Sequence, residues 1–301
     1  MPAFAQLAQI DAVDVGSRSA RTLDSVPERV RGRIFSDYEE ALTKSPADLV
    51  YVSLSNDLHV RWAKRALELG FHVIVDKPCV PTFRETEALA ELAHKKGRCL
   101  AEATVFTRHP QLAACGELLR TAQPGALRVS ATFSFPPLAD RDFRYSRSAD
   151  GGSLNDLGPY AVATARVLFN AAPDHIACRV LARRQDVDIA FSVMMAFGDG
   201  GVLVGRFGFD TEYCNHLSVL GGGISVDLNR IYTIPPNLGN HIIVRRNNLE
   251  ERIDIPAADS FLLFIQDVID AINSGRHEIF ARDLLVDAST LDRLRCAARE
   301  A

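Results

Sequence analysis

The chain has 301 residues, with 34 Lys or Arg against 38 Asp or Glu, and so a formal net charge of −4. At 47% hydrophobic and 24% charged residues it has a globular balance, large enough for one big domain or two ordinary ones, which excludes a disordered tail or a collagen-like repeat. An acidic excess also argues against nucleic-acid binding, because Lys95-Lys96-Gly97-Arg98 and Arg245-Arg246 are short and isolated.

No apolar run approaches the roughly 20 residues that a bilayer-crossing helix needs. The opening MPAFAQLAQID lacks the basic start and apolar run of a secretory signal. Six cysteines are dispersed along the chain without CxxC or zinc-type Cys/His spacing. They are expected to be free thiols in a reducing compartment, by default the cytoplasm, and no metal site is expected.

The first hundred residues alternate between two periods. Ala12 to Val15 and Ile34-Phe35 read as short strands, and Ala47 to Leu54 as an apolar strand covered on both faces. Trp62, Ala63, Ala66 and Leu67 have helical spacing over His59 to Leu69, with Gly70 as the stop. A strand over Phe71 to Asp76, a helix over Thr82 to Lys96 and a strand over Arg98 to Ala103 follow. Strands alternating with such helices predict βαβ units and a parallel sheet, a doubly wound α/β domain over 1–104.

Beyond residue 105 the pattern changes. Gln111 to Leu119 and Gly158 to Phe169 read as helices, and Leu127 to Phe135 as a strand. Strands are then expected at 175–183, 187–197, 201–209, 216–221, 223–228 and 241–246, with Gly198-Asp199-Gly200-Gly201 as a hairpin turn. Helices at 259–273 and 281–298 close the chain. This predicts an α+β domain over 105–301 built on a large, open, mainly antiparallel sheet. Val193, Met195 and Phe197 alternate as one buried face, covered either by a second copy or by the chain's own helices.

Three constellations carry chemistry. Asp76-Lys77-Pro78 ends an apolar strand, and in a parallel sheet ligands sit outside the carboxyl ends of the strands. Ser53-Leu54-Ser55-Asn56-Asp57-Leu58-His59 leads from a strand into a helix start, where polar groups suit a ribose or amide and also suit a helix cap. In Gly151-Gly152-Ser153-Leu154-Asn155-Asp156-Leu157-Gly158-Pro159-Tyr160, Asp156 and Tyr160 are four apart and share a helical face. A lysine near Tyr160 would favour the ionised phenol, and a Tyr–Lys pair with a carboxylate suits alcohol–carbonyl interconversion.

Together these segments resemble the Gfo/Idh/MocA oxidoreductases, the glucose–fructose oxidoreductase and inositol dehydrogenase relatives. SLSNDLH is similar to the family's T/S-P-N-x-x-H, DKP to E-K-P, Glu102 to Gln111 to E-A-F-M-Y-R-F-H-P-Q, and DFRYSRSADGGSLNDLGPYAV to N-x-R…G-G-G-A-L-x-D-x-G-x-H/Y. The resemblance implies a Rossmann-like dinucleotide-binding domain followed by a substrate-binding and oligomerisation domain. It also implies an NAD(P)-dependent oxidoreductase acting on a sugar, sugar derivative or cyclic polyol. Lys77, Tyr160 and Asp156 would be catalytic, with His109 and Arg144 beside them on the substrate. Ser17, Arg18, Ser53, Asn56, His59, Asp76 and Lys77 would hold the cofactor. Phe106 stands where the family usually has tyrosine.

The family opens with a strand and G-x-G-x-x-G/A loop that have no counterpart before Ala12, where Met1-Pro2-Ala3-Phe4 resembles a segment inside the first helix. A disturbed sheet around Ala12 to Val15 and Leu49 to Val52 is therefore expected. Arg18 follows the strand that in NAD enzymes ends in an acid, and it suits a 2′-phosphate, so NADP is expected ahead of NAD. Asp14 lies within that strand rather than at its tip. The resemblance also implies a homodimer or homotetramer through the C-terminal sheet. A non-catalytic dinucleotide- or sugar-binding regulatory protein on the same fold, or a cofactor-incompetent form, remains the alternative.

Overall fold

The structure is a computed structural model and describes residues 2–18 and 26–300. Its first part runs α1 (Pro2–Gln6), β1 (Val13–Gly16), β2 (Arg31–Phe35), α2 (Tyr38–Lys44), β3 (Leu49–Val52), α3 (Asn56–Leu69), β4 (His72–Val75), α4 (Phe83–Lys96) and β5 (Leu100–Glu102). The second part begins with α5 (Pro110–Arg120), β6 (Gln123–Ser134), α6 (Ser153–Asp156) and α7 (Gly158–Phe169). It continues through β7 (His175–Arg184), β8 (Val187–Ala196), β9 (Val202–Gly208), β10 (Cys214–Gly222), β11 (Ile224–Asn229), β12 (Asn240–Arg246) and β13 (Leu249–Ile255) to α8 (Ser260–Asn273) and α9 (Glu278–Glu300).

All strand pairs of the first part are parallel, but they fall into two sheets, β1–β2 and β3–β4–β5. Among the described residues β1 and β3 do not pair, which is the interruption expected between those segments. The run at β4 is buried along its whole length because both faces are covered. Val73 and Val75 pack with Ala63, Leu67, Leu89 and Ala93 of α3 and α4, while Ile74 faces Ala3, Phe264 and Val268 of α1 and α8. Alternation along a strand thus serves two different helical layers.

The second part is an eight-stranded sheet in the order β13-β12-β11-β10-β6-β9-β8-β7, with only the β6–β9 pair parallel. Its inner face packs on α5 and α7. Val193, Met195 and Phe197 belong to this core, and Phe197 stacks on Phe169 of α7 at 3.8 Å between ring centroids. The chain's own helices therefore cover that face. β13 was not anticipated, whereas the turn between β8 and β9 is, with Gly200 at φ +82°.

The last two helices return to the first part. Phe264, Ile265 and Val268 of α8 and Phe280 of α9 share a core with Ile74, Cys99 and Ala101, and Leu284 packs with Val75 and Leu100. No helix among the described residues is long and apolar enough to cross a membrane.

Candidate active site

Lys77 leaves the C-terminal end of β4, and the residues around it come from both parts of the chain. Its Nζ donates to the carboxylate Oδ1 of Asp156 at 2.7 Å and to the Asp156 carbonyl at 2.6 Å. The same ammonium lies 5.0 Å from the ring centroid of Tyr160. Arg144 Nε donates to the other oxygen, Asp156 Oδ2, at 2.9 Å, and Asp142 holds that guanidinium from its far side at 3.2 and 3.3 Å. The expected quartet of Lys77, Asp156, Tyr160 and Arg144 is one contiguous cluster.

Local sequence explains why Asp156 sits there. A Cβ on Gly151 would stand 2.5 Å from the Arg144 carbonyl, and Gly152 has φ +106° with a Cβ position 2.8 Å from Asp188 Oδ1. Only glycine lets the 143–152 loop close so tightly onto its neighbours. Asp188 of β8 then receives the Ser153 hydroxyl and the Leu154 N–H, both at 2.6 Å, and anchors the start of α6. Asp188 was missed in the sequence because a lone acid in a strand carries no signal of the loop it will cap.

The charges settle one another. Burial works against ionisation of Asp156, but Lys77 and Arg144 hold its carboxyl below the usual aspartate range. Burial likewise disfavours the Lys77 ammonium, yet Tyr160, where it ionises, and the Asp156 carboxylate raise its pKa overall. Tyr160 corrects the expectation of an easily ionised phenol. Its ring packs against Phe133 at 5.1 Å, Tyr232 at 5.2 Å and Phe106 at 5.5 Å. This burial raises its pKa by more than the Lys77 charge lowers it, so the proton is retained. Tyr232 takes a hydrogen bond from Thr164 at 3.3 Å.

Three of the expected contact residues, His59, Asn56 and His109, are buried. His59 is fully buried, with Nδ1 2.9 Å from the Pro78 carbonyl and Nε2 3.0 Å from the Leu54 carbonyl, so both ring nitrogens are turned to backbone carbonyls. His109 is buried too; its Nδ1 accepts from the Gln111 N–H at 3.3 Å as the cap of α5, while its Nε2 has no hydrogen-bond partner among the described residues, and burial lowers its basicity. Asn56 stands at the start of α3. Its amide donates to the Asp150 carbonyl at 2.9 Å and ties α3 to the second part of the chain.

The remaining cofactor candidates line strand ends. Asp76 receives the Tyr51 hydroxyl at 2.5 Å and the Ser53 hydroxyl at 2.7 Å, which fixes its carboxylate beside Lys77. At the end of β1 the Ser17 N–H donates to the Phe35 carbonyl at 2.9 Å, and exposed Arg18 holds its guanidinium 5.5 Å from the Tyr38 ring centroid. Asp14 is turned away to Arg33, with an ion pair of 3.2 Å. These groups put a cation at the β1 tip, and polar side chains with Lys77 at the β3 and β4 tips.

Comparison with known proteins adds to this geometry. A family model described as an oxidoreductase family with an NAD-binding Rossmann fold matches residues 1–104, and a GFO/IDH/MocA C-terminal domain matches residues 117–225. A dTDP-3,4-didehydro-2,6-dideoxy-alpha-D-glucose 3-reductase of Streptomyces violaceoruber is 30% identical over 99% of this chain and 91% of its own length. The D-xylose 1-dehydrogenase (NADP(+)) 2 of Haloferax volcanii is 26% identical over 90% of this chain and 84% of its own. Among solved structures, a 3-ketoreductase from Actinomadura kijaniata in complex with NADP and TDP-benzene superposes with a TM-score of 0.92 at 28% identity, covering 99% of this chain and 92% of that one. The chain belongs to the Gfo/Idh/MocA family of oxidoreductases.

Proposed function

We propose that this protein is an NADP-linked oxidoreductase that interconverts a carbonyl and a hydroxyl on a sugar or sugar derivative. One observation carries the reading: a strand-end lysine lies 2.7 Å from a buried carboxylate that ends α6 and 5.0 Å from the ring of a tyrosine four residues further on, in α7. When bound, the dinucleotide supplies or accepts the hydride. Arg18 and Ser17 would hold its adenosine end, and Ser53, Asp76 and Lys77 its nicotinamide end. The NADP named with the Actinomadura and Haloferax relatives supports this choice over NAD.

The chain's own residues account for the proton. Tyr160 keeps its proton at neutral pH and donates it to a carbonyl oxygen as that oxygen gains negative charge. Lys77 stands beside the phenolate left behind and stabilises it. Of the three N–H groups of Lys77, two are engaged by Asp156, which leaves one for a substrate oxygen. Asp156, kept ionised between Lys77 and Arg144, fixes the direction of that third donor.

On the outer face of the large sheet, Met194, Val204 and Leu220 are 38%, 44% and 48% exposed, and Met194 lies directly opposite Val204 in the β8–β9 ladder. We read this face as the contact between copies in a homodimer or homotetramer. Four buried and two exposed free cysteines suit a cytoplasmic address.

The test is a spectrophotometric assay of NADPH oxidation by the purified chain against free, phosphorylated and nucleotide-linked ketosugars. Turnover with at least one class, and a weaker response to NADH, is expected. Tight binding of NADPH without turnover of any sugar would favour the regulatory alternative.

A further inference from the structure

The turn that carries Lys77 is held by three side chains from three different elements. His59 of α3 faces the Pro78 carbonyl at 2.9 Å, Glu102 of β5 accepts from the Cys79 N–H at 2.6 Å, and Arg295 of α9 donates through Nη1 to the Pro81 carbonyl at 2.5 Å. Arg295 differs from the other two in where its second hand goes. Its Nε donates at 3.0 Å to Oδ1 of Asn155, the residue immediately before Asp156. Asn155 in turn donates to the carbonyls of Asp150 and Gly151 at 2.9 and 3.1 Å. The arginine is only 9% exposed, so neither bond competes freely with water.

We propose that Arg295 is a positioning residue: its guanidinium sets the spacing between the Lys77 turn and the helix bearing Asp156, and so holds Lys77 in place beside Tyr160. This rests on the function proposed above. Lys77 and Asp156 are 79 residues apart in the chain, and a 2.7 Å contact between them needs both backbones fixed in one frame. A long lysine side chain cannot impose that frame. A planar fork with donors at fixed angles can, and it meets one acceptor on each side of the junction. Because α9 also packs against β5 and α7, the frame extends into both parts of the molecule. Misplacement of a reacting group by about 1 Å costs on the order of 100-fold in rate.

The test uses Arg295→Lys and Arg295→Ala in the full chain. For carbonyl reduction with NADPH, kcat is expected to fall about tenfold in Arg295→Lys and about 100-fold in Arg295→Ala, with KM for the sugar changed by less than about threefold. Millimolar methylguanidinium should restore part of the activity of Arg295→Ala. If Arg295→Ala does not fold, Arg295→Lys carries the comparison. A second readout needs no turnover: lysines are reductively methylated with carbon-13, and the Lys77 signal, assigned by its loss in Lys77→Arg, is titrated by NMR. Its midpoint should fall in the Arg295 variants, because the ammonium drifts from Asp156. An unchanged kcat, or a loss that only tracks lowered Tm with no rescue and an unmoved Lys77 titration, would overturn the proposal. If the native chain turns over no sugar, the functional reading fails, and the Lys77 titration alone decides the role of Arg295.

Discussion

Tyr160 and Lys77 divide the work of the site between proton and charge, and their surroundings make the division testable. Tyr160→Phe keeps a ring among Phe106, Phe133 and Tyr232 and removes only the hydroxyl. Its kcat should fall by about 10²–10⁴ with little change in Tm, as stopped-flow reduction and thermal melts would show. Lys77→Met leaves Asp156 with Arg144 as its remaining partner, at 2.9 Å. Stability should therefore drop by about 1–2 kcal/mol in urea titration, less than the roughly 3–5 kcal/mol of a buried carboxylate left without any partner. A larger loss would mean that Lys77 is chiefly structural. At this scale the sequence was legible in singling out Asp156 and Tyr160, which both approach Lys77, although they stand on two successive helices, α6 and α7, and not on one helical face as expected. It was not legible for His59, because a histidine in the first turn of a helix has the same letters whether its ring meets a ligand or a backbone carbonyl.

Among the elements, β5 contributes the group with the clearest pH signature. Burial raises the Glu102 carboxyl from an ordinary 4.5 to about 7, a rise that its hydrogen bond from Cys79 N–H opposes and the nearby Asp287 supports. Between those values the folded chain keeps a proton that the unfolded chain releases. The stability from Glu102 is therefore full below pH 4.5 and declines as the pH rises through about 7. Glu102→Gln keeps an acceptor for Cys79 and removes the ionisation. It should gain up to about 3 kcal/mol relative to the native chain between pH 5 and pH 8, read as a flatter Tm against pH. A parallel pair of Tm curves would show that Glu102 does not titrate there.

Element recognition from sequence followed burial. The strands of the β3–β5 sheet stood out as apolar runs because helices cover both of their faces. α2 buries no residue and β13 is a charged edge strand with Leu249 75% exposed, so neither left an apolar stripe to read.

The molecule as a whole is closed by its C-terminal end. The apolar faces of α8 and α9 were visible as helices, but not their destination, since a stripe reports that a surface is buried and not what covers it. Phe264, Val268 and Leu284 return to the first sheet, and Arg295 reaches the loop between β4 and α4. The outer face of the large sheet carries its own prediction. Val204→Glu should shift the protein to a smaller species in size-exclusion chromatography with light scattering, and an unchanged mass would remove that face as the contact between copies.

The central claim is that hydride transfer takes place beside Lys77, Asp156 and Tyr160. The most direct measurement is to supply NADPH deuterated at the nicotinamide C4 with a ketosugar substrate and locate the deuterium in the product by NMR. The account predicts deuterium on the new carbinol carbon with the native chain and a rate lower by at least about 100-fold with Tyr160→Phe. Undiminished transfer in Tyr160→Phe, or product without deuterium at that carbon, would contradict it.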